Sequence, residues 1–124
     1  RAAVDLFAAR ARVGLWRVRR RISSKSLTGN IEKAGMDLRV VRSVAEMLGF
    51  SNFVELADTT DRQLRERCVS DGALPELDQQ QVLQLIELTE KALLVISKEY
   101  TDGSCEQHVD RLHHLVAEHE ACYL

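Results

Sequence analysis

The chain has 124 residues, 45% of them hydrophobic and 29% charged, which suits one domain with its own core and is too apolar for a disordered segment. One proline and six glycines leave too few tight turns for a fold of many short strands, and no apolar run approaches the roughly 20 residues of a membrane span. The net charge of −2 conceals a split: residues 1–31 carry seven arginines and one lysine against Asp5 alone, whereas residues 32–124 carry nine bases and eighteen acids. A basic segment on an acidic body can complement an external anionic surface, its own domain or a second copy of the chain. The acidic body argues against nucleic acid as the main partner, because most of its surface would repel phosphate.

Helical periodicity runs through the sequence. Val4, Phe7, Ala11, Leu15, Val18 and Ile22 fall in one stripe at 100° per residue, with the arginines at 10, 12, 17, 19, 20 and 21 outside it. This predicts a basic amphipathic helix over about residues 3–22, with Leu6, Val13 and Trp16 forming a weaker second patch. Gly14 lowers helix propensity by about 1 kcal/mol and allows a neighbouring helix to approach closely. Residues 23–30 (SSKSLTGN) form a linker to an acidic helical body over residues 31–124.

In that body, Asn30 caps a turn from Ile31, and Asp37 caps a fresh start before Leu38, Val41, Val44, Ala45 and Leu48. Gly49 stands where a left-handed helix stop belongs, with Phe50 folding back over the end. Ser51 opens a short apolar turn through Phe53, Val54, Leu56 and Ala57. Thr60 with Gln63 has the spacing of a capping box before Leu64 and Cys68, and Asp71-Gly72 ends that helix. Pro75 holds Leu74 extended in a connector. Asp78 with Gln81 caps a long helix carrying Val82, Leu85, Ile86, Leu93, Ile96 and Tyr100, with Leu83, Leu88, Leu94 and Val95 elsewhere on its circumference. Thr101-Asp102-Gly103 breaks it, and Ser104 with Gln107 caps a last helix bearing Val109, Leu112, Val116 and Tyr123. The expectation is an all-α single domain of five to six helices, arranged as stacked hairpins or an irregular bundle.

Chemistry-bearing patterns are sparse. Val44-Ala45-Glu46-Met47-Leu48-Gly49-Phe50-Ser51 resembles half of the helix-turn-helix of bacterial AraC-type regulators, which implies a DNA-reading helix after the turn. That helix needs basic or amide side chains aimed at base edges and phosphates. Apart from Asn52, the sequence there is acidic and apolar until Arg62. Cys105, His108, His119 and Cys122 are zinc-ligand types, but on one continuous helix the two pairs stand roughly 20 Å apart. His113, His114 and His119 read as surface residues, Glu87 and Glu90 with Lys91 as a solvated face, and Cys68 as apolar packing beside Leu64. Asp110-x-x-His113 lacks the second such element that a di-iron bundle requires. No metal, cofactor or small-molecule substrate is expected, and no catalytic constellation.

Three unpaired cysteines at no framework spacing point to a reducing intracellular compartment. The chain begins at Arg1 rather than at a methionine, as in a fragment or processed product. Residues 1–31 also have the arginine-rich, acid-poor composition of a mitochondrial presequence. The expected activity is that of a non-catalytic interaction scaffold. Its contact residues are the helix-1 anchors Phe7, Leu15, Val18 and Ile22, with Trp16 as a rim hot spot and Arg17, Arg20 and Arg21 as the cationic edge. A protein partner, a second copy or an anionic membrane surface would meet them. DNA binding through the half-motif, or membrane binding through helix 1, are the alternatives.

Overall fold

Leu15, Val18, Leu38, Phe53, Leu85 and Ile86 belong to four separate helical stretches, yet all are buried in one core. They are brought together in a computed structural model that describes residues 1–24, 29–69 and 72–122. The helices are α1 (Ala2–Ser23), α2 (Asn30–Met47), α3 (Ser51–Arg67), α4 (Glu76–Glu99) and α5 (Glu106–Ala121), with a 3-10 turn at Gly103–Cys105 before α5. Among the described residues there is no strand. The all-α fold expected from periodicity is the observed one, with five helices.

Cross-helix pairs give the topology. Gly14 lies against Val41 while Arg21 meets Asp37, so α1 and α2 run antiparallel. Arg42 with Asp58 and Arg39 with Asp61 set α2 antiparallel to α3. Arg67 pairs with Asp78 at one end of α3 and α4, while Asn52 and Phe53 reach Asp102 at the other. Arg19 pairs with Glu90, and the Arg1 guanidinium sits 5.1 Å from the Tyr100 ring centroid, which closes α4 back onto α1. The four helices thus form an up-down-up-down bundle, and α5 lies over the α3–α4 pair. Helix 1 is therefore an integral wall of the bundle and no detached arm on an acidic body.

Close packing of α1 follows from particular residues. A Cβ on Gly14 would stand 2.7 Å from a Val41 methyl, so the missing side chain sets how near α2 can come. At the other end Phe7 packs edge-on against Phe53 (centroids 5.5 Å apart) and tilted against Phe50 (5.7 Å). Such aromatic pairs contribute about 0.5–1.5 kcal/mol beyond the area they bury. Gly49 has φ +80°, and Phe50 is buried behind it, as the sequence predicts for a left-handed stop with a hydrophobic clasp.

Several local expectations are corrected. Asp37 lies inside a continuous α2, where it faces Arg21 at 3.1 Å. Thr60 and Gln63 are interior to α3, which runs unbroken from Ser51; the Thr60 hydroxyl donates to the Leu56 carbonyl at 2.8 Å. Asp78 and Gln81 start no helix but accept hydrogen bonds from Arg67, whose Nε also donates to Gln63 at 3.0 Å. Ser104 makes no cap bond at α5. Glu90 is half-buried against Arg19, leaving Lys91 with Glu87 alone on the solvated face. Val44 is 40% exposed, and His119 is buried. Tyr123 and Asp71, and residues 25–28 of the expected linker, lie outside the described residues.

Two polar ties hold the ends of α3. No side chain within α3 caps its start; instead the Phe53 N–H donates to the buried Asp102 carboxylate at 3.0 Å. The Asp102 carbonyl also accepts from Asn52 Nδ2 and from the Cys105 N–H, each at 2.9 Å. One residue of the α4–α5 connection thus caps α3 and starts the turn into α5. At the far end, Arg67 and Asp78 are almost wholly buried as an ion pair, and removal of one partner from such a pair costs about 3–5 kcal/mol.

Asp102→Ala is expected to lower stability to urea by about 1–2 kcal/mol, the range for losing a helix cap. Asp102→Asn, which keeps an acceptor oxygen, should lose less. A second expectation concerns α5. Burial, with Arg67 adding to it and Glu118 opposing, lowers the His119 pKa from 6.5, and the ring bonds Gln84 Oε1 at 2.8 Å through Nε2. Burial and Lys91 lower His108 as well. A histidine with a depressed folded-state pKa leaves stability intact above the unfolded value, and stability falls as the unfolded chain takes up protons below it. The urea midpoint should therefore be level between about pH 7 and 8.5 and drop as pH falls below 6.5, while the raised Cys105 pKa lowers it again above about pH 9, where only the unfolded thiol ionises. His119→Gln should flatten the acid-side drop.

Candidate interaction surface

The apolar stripe expected to bind a partner is consumed by the chain's own core. Phe7, Leu15, Val18 and Ile22 are at most 3% exposed. The reason is geometric: their side of α1 faces α2, α3 and α4 together, and exposing it would open the bundle. Arg21 also turns out to be structural, paired with Asp37 across the α1–α2 seam. Arg19 is engaged with Glu90, a hydrogen bond that raises its pKa despite partial burial.

What α1 offers to solvent is its opposite side. Ala2, Leu6, Ala9, Val13, Trp16 and Arg20 are all exposed, and they alternate at spacings of four and three. This is the 3.5-residue repeat of a helix–helix seam. Trp16 is 53% exposed, and the Arg20 guanidinium lies 5.3 Å from its ring centroid, a cation–π distance. On the adjacent α2, Met36, Val40, Ser43 and Met47 repeat the same spacing, with Val44 beside them. Val40 is 66% and Met47 86% exposed. Two antiparallel neighbours thus each present an apolar outward stripe.

Cations line this surface without counter-ions. Among the described residues, no carboxylate lies within 4 Å of Arg10, Arg17, Arg20 or Lys33; Arg12 lies on the α4 side of α1, in a hollow with Glu90 and Leu94. Elsewhere on the bundle, arginines 39, 42, 65, 67 and 111 are paired, whereas Arg62 on α3 and Lys98 on α4, like the α1 cations, have no carboxylate within 4 Å among the described residues. A shallow hollow bounded by Trp16, Arg17, Arg20 and Asn30 marks one end of the surface. Trp16, Arg17 and Arg20, expected from the sequence as contact residues, are exposed here. The Met36–Val40–Met47 spacing on α2 is visible in the sequence too, but reading Val44 as a core position conceals it; Val44 is 40% exposed.

The remaining candidate groups have structural occupations. Asn52, the amide available for base reading in the half-motif, donates to the Asp102 carbonyl. Helix α3, in the recognition-helix place, buries Phe53, Leu56, Ala57, Thr60 and Leu64. Among the described residues no disulfide joins Cys68, Cys105 or Cys122. Cys105 is buried, and burial with Asp102 and Glu99 pushes its pKa up to about 11, so it is a protonated, poorly nucleophilic thiol at neutral pH. His113 bonds Glu55 at 2.9 Å and ties α5 to α3. No group of three or more His, Cys, Asp or Glu side chains among the described residues is arranged to hold a metal ion. No helix among them is long and apolar enough to cross a membrane.

Comparison with protein-family models, curated proteins and solved structures returns no match.

The assignment of inner and outer sides of α1 is open to direct measurement. Leu15→Ala should cost about 2–5 kcal/mol in chemical denaturation, as a buried leucine does. Trp16→Ala, one residue away, should change stability by no more than about 0.5 kcal/mol.

Proposed function

We propose that this chain is a non-catalytic helical interaction domain that docks a protein partner on the outer side of the α1–α2 pair. One observation carries the reading: two neighbouring helices each expose an apolar stripe at helix-packing spacing, beside Arg10, Arg17 and Arg20, which have no carboxylate within 4 Å among the described residues. Exposed apolar side chains scattered singly need no explanation, whereas a contiguous set on adjacent elements marks an interaction site. Arginine, tryptophan and methionine are also the side chains enriched where interfaces carry their binding energy. The chemistry of the other ionisable groups supports a role without catalysis. Cys105 is held as the thiol, His119 is a buried neutral ring tied to Gln84, and Asp78 and Asp102 serve the fold.

Three cysteines with no disulfide among the described residues support a reducing compartment.

Site-specific photo-crosslinking tests the reading. A photoreactive side chain at Val13, Val40 or Met47 should give the same discrete crosslinked product from each position in cells that make the protein. The same group at Glu66 or Glu118, exposed on α3 and α5, should not. Equal crosslinking from all five positions, or crosslinking from α5 alone, would remove α1–α2 as the docking side.

A further inference from the structure

Arg17, Arg20, Arg21 and Ser24 follow one another at steps of three, one and three residues, so they project from one side of the C-terminal end of α1. Opposite them α2 begins at Asn30, and the two helix ends bound an open hollow of about 280 Å³ lined by these four residues, Asn30 and Trp16. A pocket that encloses a whole organic ligand takes roughly 300–1,000 Å³. This hollow suits a compact group whose bearer stays in solvent.

Charge says which group. Arg17 and Arg20 have no carboxylate within 4 Å among the described residues, and Arg21 meets Asp37 at 3.1 Å through Nε. Glu32, in the first turn of α2, does not line the hollow. Three guanidiniums against the one Asp37 carboxylate leave two positive charges uncompensated around a small space. Basic residues in the last turn offset the negative end of a helix dipole, and Arg20 and Arg21 are placed for that. Such an offset requires neither Arg17, a turn earlier, nor all three side chains on one hollow. The Arg20 guanidinium rests 5.3 Å from the Trp16 ring centroid, which positions its planar donor fork before a ligand arrives. The Asn30 bank adds the positive end of the α2 dipole.

We infer that this hollow binds the phosphate group of a phosphate monoester. Such a group carries about −1.5 to −2 charges at neutral pH and three acceptor oxygens. It matches the two uncompensated charges, and guanidinium forks donate to its oxygens in pairs. A carboxylate would leave one charge over. The bearer is a soluble ester or a lipid headgroup, which present the same chemistry. Its binding needs none of the apolar stripe on the docking side.

Trp16 is the only tryptophan of the chain, so its emission reports on the hollow. Titration of the full chain with inorganic phosphate and with glycerol 3-phosphate should change that emission saturably. Phosphorus NMR line broadening is followed in parallel, because Arg20→Gln alters the surroundings of Trp16 by itself. Arg17→Gln/Arg20→Gln should weaken binding about tenfold or more. Arg10→Gln/Arg62→Gln removes the same charge outside the hollow and should leave affinity within about twofold. All four side chains are exposed, so helicity and melting should not change. Phosphatidylcholine vesicles with and without phosphatidylinositol 4-phosphate separate the two bearers. Binding to the phosphorylated lipid about tenfold or more tighter than to glycerol 3-phosphate, with the same dependence on Arg17 and Arg20, assigns a headgroup. Equal or weaker binding to it assigns a soluble ester. No saturation by phosphate, ester or vesicle up to about 10 mM would overturn the site. Equal losses in the two double variants, or an equal response to acetate or chloride at matched ionic strength, would overturn it too, since both mark screening of net charge.

Discussion

Seating Phe7 against Phe50 and Phe53 decides most of what this molecule can do. That contact joins the start of α1 to the α2–α3 turn and the first turn of α3, and it fixes the rotation of α1 about its own axis. Gly14 reinforces the choice by letting α2 approach where any side chain would collide with Val41. Once one side of α1 is committed to the core, the direction of every arginine follows. Arg19 and Arg21 flank the buried stripe and reach Glu90 and Asp37 on the neighbouring helices. Arg10, Arg17 and Arg20 are exposed, with no carboxylate within 4 Å among the described residues.

The rest of the bundle depends on polar ties at its ends. Asp102 caps α3 from a distant connection and simultaneously starts the turn into α5, so the start of α3 and the placement of α5 are one event. Arg67 gathers Gln63, Asp78 and Gln81 where α3 hands over to α4. Buried polar clusters of this kind add less net stability than apolar packing would, but each member is costly to remove singly. They specify which helix ends meet. Both ties belong to the α3–α4 half, the half that carries its own covering helix; no element of the described residues lies over the α1–α2 half.

Much of the fold was legible in the sequence because amphipathic periodicity is local. The stripe of Val4, Phe7, Ala11, Leu15, Val18 and Ile22, the stop at Gly49-Phe50 and the long apolar run of α4 each reveal themselves within a few turns. Capping signals were less faithful. Thr60 with Gln63 and Asp78 with Gln81 have the spacing of helix starts, yet Thr60 bonds the carbonyl one turn back and the other three side chains serve Arg67. Spacing of polar residues does not distinguish a cap from an interhelical network, since both use the same short acceptors. The true cap of α3, Asp102, lies about fifty residues downstream of the helix it caps, and no local pattern could have pointed to it.

By itself the sequence determined that α1 is a helix with a wide apolar stripe, a narrower second patch and a cationic remainder. It did not determine which stripe is covered or by what, because amphipathicity records only that a side prefers burial and not what buries it. The tertiary structure decided that: the wide stripe, with Phe7, Leu15, Val18 and Ile22, completes the chain's own core. The narrow one, with Leu6, Val13 and Trp16, joins Met36, Val40 and Met47 of α2 in a surface that exists only once the two helices lie side by side. The physical reason is area. Four helices share one core, and the wider apolar side removes more surface from water when it turns inward.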